Sequence, residues 1–114
     1  RRVDVMALDR KGRFTAIEVK SSREDFRVDE KWQEYLPFCD LFYFAVSGDF
    51  PLELLPEDVG LIIADAYGAE VIRPAAAGDM NPSRRKALTL RFARKSADRL
   101  MRELDPGVTA LLRE

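Results

Sequence analysis

Two β-prone runs face each other across a short polar turn, and this feature constrains the chain more than any other. The first run is Arg2-Val3-Asp4-Val5 and the second is Ala16-Ile17-Glu18-Val19-Lys20-Ser21-Ser22, with Asp9-Arg10-Lys11-Gly12-Arg13 between them. Val3, Val5, Ile17 and Val19 are strand formers, and a lone glycine in a polar break is a hairpin signal. A three-residue loop Arg10-Lys11-Gly12, with Gly12 as its left-handed residue, pairs Asp9 with Arg13. Counting back along that ladder sets Asp4 opposite Glu18, with Cβ atoms roughly 4.5–5.5 Å apart. Side chains alternate along a strand, so Lys20 points the same way as Glu18. The hairpin is expected to hold two carboxylates and one ammonium in a compact cluster.

Two readings of that cluster stand side by side. In one, Asp4, Glu18 and Lys20 form a solvated, ion-paired sheet face. In the other, a hard divalent ion with oxygen ligands relieves the facing carboxylates, and Lys20 is left to meet a water or a phosphate oxygen. Alternation places Met6, Leu8, Phe14 and Ala16 on the charged face, and Val3, Val5, Ala7, Ile17 and Val19 on the other. Both faces are expected to be partly covered, with the charges at the lip of a buried sheet, where charged groups rarely sit without a partner.

At 114 residues the chain reads as one domain, large enough to bury roughly two-thirds of its unfolded surface. Lys plus Arg (19) nearly balance Asp plus Glu (20), so overall charge selects no partner. The absence of histidine removes His-based triads, zinc–histidine sites and histidine general bases. A single cysteine, Cys39, excludes an internal disulfide and reads as a small buried thiol. No apolar run approaches the roughly 18 residues of a membrane span, and the first residues are not a signal peptide. The start without an initiator Met reads as a fragment or an upstream segment not seen. Cytoplasmic location is expected.

Ser22-Arg23-Glu24-Asp25 is a helix N-cap pattern, predicting a short helical turn through Phe26 and a fuller helix from about Asp29 to Phe38. Trp32, Tyr35, Leu36 and Cys39 make its apolar stripe. Leu41 to Val46 is a continuous apolar run, as in a strand buried on both faces. Strand, helix and strand over this length form a βαβ unit, which sets this strand parallel to the Glu18 strand. A helical turn is expected at Pro51 to Leu55, and strands at Val59 to Ala64 and Glu70 to Arg73 around an Asp65–Ala69 turn in which Asp65 and Tyr67 are structural. A long helix follows from Pro82 to about Leu104, capped by Asn81, and a short last helix at Val108 to Arg113. Between Arg84 and Arg102 stand Arg84, Arg85, Lys86, Arg91, Arg94, Lys95, Arg99 and Arg102 against one acid, Asp98. Such a face is either merely solvated or tracks a phosphate backbone.

Asp4, a hairpin into Glu18-x-Lys20, a helix and a further strand together resemble the PD-(D/E)XK nuclease superfamily. More narrowly, Arg2-x-Asp4-Val5-Met6-Ala7-Leu8, Glu18-Val19-Lys20-Ser21-Ser22-x-x-Asp25-Phe26, Lys31-Trp32-x-Glu34-Tyr35 and Phe42-Tyr43-Phe44-Ala45-Val46 are similar to the MmcB-like family of bacterial DNA repair proteins. The likeness continues through Leu55 to Ile62, Ala64 to Ala69 and Arg84 to Ala93. It implies a restriction-endonuclease-like α/β fold, with a mixed central β-sheet, a β-hairpin, a βαβ crossover and flanking helices. It also implies DNA as partner and Mg2+ or Mn2+ as cofactor, held by Asp4, Glu18 and the main-chain carbonyl of Val19, with Lys20 steadying the attacking water or the phosphate charge. Two features depart from the superfamily's pattern: Val3 stands where it has proline, and the chain starts too late to show the glutamate that many members supply from a preceding helix. Some relatives carry a Gln-x-x-x-Tyr pair where this chain has Lys31 and Tyr35. Those two either reach the cleft or are a solvated lysine and a core tyrosine. Ser21, Arg84, Arg85, Arg91 and Lys95 complete the candidate DNA contacts, while Ser22 is assigned to capping. A DNA-cleaving enzyme and a catalytically silent DNA-binding or scaffold module are both consistent with these residues.

Overall fold

The computed structural model describes residues 3–28, 31–105 and 107. The chain divides into two compact units, Arg1–Met80 and Asn81–Glu114.

The first unit is built on a five-stranded sheet in the order β1-β2-β3-β4-β5. Its strands are β1 (Val5–Leu8), β2 (Phe14–Lys20), β3 (Leu41–Val46), β4 (Gly60–Ala64) and β5 (Ala69–Arg73). β1 and β2 are antiparallel, β2, β3 and β4 run parallel, and β5 returns antiparallel to β4. The architecture is therefore mixed α/β.

The β1–β2 turn is the expected three-residue loop. Gly12 has φ 79°, the left-handed conformation that only glycine takes without strain. Asp9 N–H donates to the Arg13 carbonyl and Gly12 N–H to the Asp9 carbonyl, each at 3.0 Å. The Asp9 carboxylate closes the loop, accepting the Lys11 and Arg13 N–H groups at 2.9 Å and pairing with Arg13 Nε at 2.8 Å. These bonds, that of the Arg13 main chain foremost, hold the Asp9 pKa below its ordinary value. The register that results pairs Val5 with Ile17 and Leu8 with Phe14.

Between β2 and β3 the chain forms α1 (Arg23–Val28) and a 3-10 helix, Trp32–Phe38. Ser22 caps α1: its Oγ accepts the Asp25 N–H at 3.0 Å and its carbonyl the Phe26 N–H at 3.2 Å. The predicted α-helix from Asp29 is corrected to this 3-10 helix, the start of the prediction lying outside the described residues. The tighter winding has three residues per turn, so positions three apart share a face. Trp32 and Tyr35 are accordingly buried, while Leu36, expected in the stripe, is exposed. Pro37, which has no N–H to donate, sits inside this segment.

One face of the sheet carries the core. Phe14 and Ala16 of β2, Phe42, Phe44 and Val46 of β3 and Leu61 of β4 are all buried. An aromatic cluster seals this face: Trp32 lies 5.6 Å from Phe42 and 5.3 Å from Phe44, and Phe26 meets Phe44 edge-on at 5.5 Å. Such pairs add about 0.5–1.5 kcal/mol each beyond their buried area. The other face of the hairpin is only partly covered, as expected: Val3 and Ile17 are half-buried, while Val5 and Val19 are 44% and 50% exposed. The strand–helix–strand connection sets α1 and the 3-10 helix beside β2, and Phe26 and Trp32 seat them on the Phe44 face.

Asp40 ties the sheet together at its far end. Its Oδ2 accepts the Phe14 N–H at 2.7 Å, its own N–H donates to the Phe14 carbonyl at 2.8 Å, and its carbonyl accepts the Gly78 N–H at 2.7 Å. The neighbouring Cys39 is buried as expected, and desolvation, with the Asp40 charge second, pushes its thiol pKa up to about 11. A 3-10 turn, Leu52–Leu54, stands where a helical turn was expected after β3.

The second unit contains α2, Pro82–Leu104, with the predicted boundaries. Asn81 caps it, its Oδ1 accepting the N–H groups of Ser83 at 2.9 Å and Arg84 at 3.2 Å. The short helix predicted at Val108 to Arg113 lies outside the described residues.

Candidate active site

The register that Gly12 and Asp9 impose brings Asp4 to Glu18, though not as a ladder pair. The β1–β2 pairing ends at Val5 and Ile17, and Asp4 bends away from the strand. Side chains take over where the ladder stops. Asp4 N–H donates to Glu18 Oε1 at 3.3 Å, and Val19 N–H donates to Asp4 Oδ2 at 2.8 Å. Each carboxylate thereby holds the other residue's strand.

Glu18 and Lys20 are buried at 4% and 5% exposure, alternating with the half-buried Ile17 and the exposed Val19, whereas Asp4 is exposed. The cluster thus has a wet side and a dry side. The dry side is aromatic, because β2 pairs with β3 so that Glu18 lies beside Phe44 and Lys20 beside Val46. Burial is the main reason that the Glu18 pKa is raised to about 7. Its hydrogen bond to the Asp4 side chain and the Asp4 charge push the same way, and Lys20 opposes them.

Such a pair of oxygen donors matches the chemistry of a hard divalent ion. Among the described residues no group of three or more His, Cys, Asp or Glu side chains is placed to hold a metal. From the described residues, an ion here would take the two carboxylates of Asp4 and Glu18.

The other candidates are distributed as follows. Ser21 follows Lys20 directly and is fixed by Asp25, whose Oδ2 accepts the Ser21 N–H at 3.1 Å and its hydroxyl at 3.5 Å. Lys31 is exposed at the start of the 3-10 helix. Tyr35 is buried, with its ring stacked on Phe42 at 6.3 Å, so the core alternative describes it. Lys31 and Tyr35 thus differ in burial, the lysine exposed and the tyrosine in the core. Arg84, Arg91 and Lys95 are exposed and Arg85 half-buried on α2, in the second unit.

Sequence reading missed Asp25 as the clamp on Ser21, since the Ser22-x-x-Asp25 spacing pointed to the cap and not to the bond four residues back. It also missed Phe44 as the cross-strand neighbour of the buried Glu18, since only the β2–β3 register brings the two together. A shallow apolar cavity of about 180 Å³, lined by residues including Cys39, Asp40, Phe42 and Val59, lies at the start of β3, away from the carboxylates. It has no part in this site.

No helix among the described residues is long and apolar enough to cross a membrane. No curated protein matches the sequence. Among solved structures, the chain is similar to the SPO1766 protein of unknown function from Silicibacter pomeroyi, with 52% identity and a TM-score of 0.86 over 93% of this chain and 73% of that one. The model of a family described as DNA repair protein MmcB-like matches residues 1–107. A match over nearly the whole sequence, including the hairpin and its charged cluster, settles the family: the chain belongs to the MmcB-like DNA repair proteins.

Proposed function

We propose that the chain is a DNA repair nuclease of the cytoplasm, a restriction-endonuclease-like domain that hydrolyses phosphodiester bonds in DNA at Asp4, Glu18 and Lys20. The observation that carries this reading is the pairing of two mutually braced carboxylates with a buried lysine on one face of β2. The antiparallel hairpin leading into a parallel crossover is the strand arrangement that the nuclease reading expects. In this reading, residues 1–114 act as one functional domain.

Asp4 and Glu18 supply carboxylate oxygens, and Val19 its carbonyl, to Mg2+ or Mn2+. A divalent ion at such a site makes bound water acidic enough to attack and neutralises phosphate charge. Lys20 is held beside Glu18 by burial, with its charge in place for the attacking water or for the negative charge that grows on the phosphate oxygens. The clamped Ser21 offers a hydroxyl to a neighbouring phosphate. Exposed Lys31 and the α2 cations Arg84, Arg85, Arg91 and Lys95 add backbone contacts that carry affinity without base preference.

A second reading keeps the DNA binding and removes the turnover. It is favoured by one observation: only two acidic side chains converge, with no third among the described residues. Cleavage of labelled single-stranded, duplex, flap and junction DNA with magnesium or manganese separates the two. Metal-dependent cutting of any substrate supports the nuclease. Binding without cutting across the panel supports the silent module.

A further inference from the structure

Tyr67 is 98% exposed, more than any other large apolar side chain of the described residues. The turn that carries it is well tied. Asp65 Oδ1 accepts the Tyr67 N–H at 2.8 Å and the Gly68 N–H at 3.0 Å, and Asp65 N–H donates to the Gly68 carbonyl at 2.9 Å. Ala64 and Ala69 pair directly beneath. The aspartate and glycine thus do the structural work of this turn, and the structural role expected of Tyr67 is corrected to its main-chain N–H alone, its ring being exposed.

Single exposed apolar residues are ordinary, but the position of this one is not. β2, β3 and β4 run parallel, with Lys20 beside Val46 and Val46 beside Ile63. All three strands therefore end on the same edge of the sheet, the edge that carries Lys20. Two strand spacings separate β2 from β4, about 10 Å, and Tyr67 stands just beyond the end of β4. Its neighbours repel phosphate rather than attract it: the turn Asp65-Ala66-Tyr67-Gly68 and the next polar residue, Glu70, hold two acids and no base. An exposed ring at the end of the sheet that carries Lys20 can stack on a nucleobase face, and duplex bases have their faces stacked away.

We propose that Tyr67 is a base-stacking contact beside the Asp4–Glu18–Lys20 site, taking an unpaired nucleobase a short distance along the strand from the phosphate held there. The substrate class that follows is nucleic acid that is single-stranded or frayed on that side. This rests on the nucleic-acid reading of the site.

The test is equilibrium binding of the full chain to a labelled single-stranded oligonucleotide and to a blunt duplex of the same sequence, in EDTA so that nothing is cut. Tyr67→Ala is expected to weaken single-strand binding by about 5- to 100-fold and to leave the duplex unchanged, with Tyr67→Phe retaining the wild-type affinity. A single abasic position, scanned along the strand, is expected to weaken the wild type at one place and to leave Tyr67→Ala unmoved there. Wild-type single-strand affinity in Tyr67→Ala, or an equal loss on both DNA forms, overturns the proposal and leaves the nuclease reading standing. A wild-type chain that binds no DNA overturns the underlying reading and this one with it.

Discussion

Asp4 and Glu18 are cross-braced through each other's main chains: the Asp4 N–H reaches Glu18 Oε1 at 3.3 Å, while Asp4 Oδ2 receives the N–H of Val19, the residue after Glu18, at 2.8 Å. The brace joins the last residue before β1 to the end of β2 just where the ladder between them stops. It also presses two carboxylates together, one exposed and one buried against Phe44, with the buried Lys20 on the same face. The consequences below follow from that arrangement and from the elements that hold it.

Metal-free protein should lose stability as pH rises through the Glu18 range. Folded Glu18 keeps its proton up to about pH 7, whereas an unfolded glutamate releases it near about 4.3. Between those values the folded state binds more protons than the unfolded state. The stabilising contribution is therefore fully present below about pH 4.3 and is lost as pH climbs through about 7. Thermal melts in EDTA from acid to neutral pH are expected to show the wild type falling relative to Glu18→Gln, and added magnesium is expected to reduce the difference. Parallel profiles in EDTA would refute the assignment of the raised pKa to Glu18.

Asp40 should matter for stability and not for chemistry. Asp40→Ala strips the acceptor from the Phe14 N–H at the base of the sheet, a loss of about 2 kcal/mol for a buried donor left unpaired. Asp40→Asn keeps an acceptor oxygen and should cost less. Denaturant titration of the three proteins gives the ranking directly, and an Ala variant as stable as the wild type would show that this bond is expendable.

Much of this architecture was legible because short-range chemistry specified it. Gly12 and the Asp9 carboxylate set the hairpin loop, and the loop sets the register that carries Asp4 to Glu18. Asn81 and Pro82 announced the start of α2, and the unbroken apolar run from Leu41 to Val46 announced β3. What escaped depends on pairing between distant segments or on small differences in winding. Seven residues with Pro37 near their end fit either helix type by spacing, so the 3-10 form of Trp32–Phe38, and with it the exposure of Leu36, was not readable. The aromatic wall beside Glu18 arises from the parallel β2–β3 register, and the tie from Asp40 to Phe14 spans 26 residues. Neither has a local signature.

The basic side of α2 should reveal itself through salt. Arg91, Lys95 and Arg99 recur every four residues and are all exposed, which aligns them along one side of the helix. If each meets one phosphate, Arg91→Ala with Lys95→Ala should weaken DNA binding to the same degree whatever the sequence. It should also lower the slope of log affinity against log salt by about one for each residue removed. An unchanged slope would assign these side chains to solvent.

The central claim is that Asp4, Glu18 and Lys20 form one hydrolytic centre, and single-turnover cleavage of DNA in magnesium tests it most directly. The wild type would be compared with Glu18→Gln and Lys20→Ala, after melting curves have shown both variants folded. The account predicts cutting by the wild type that EDTA stops, and a loss of at least about a hundredfold in each variant, the scale of removing one charge-stabilising group. Cutting that survives in both variants, or a wild type that binds DNA and never cuts it, would contradict the account.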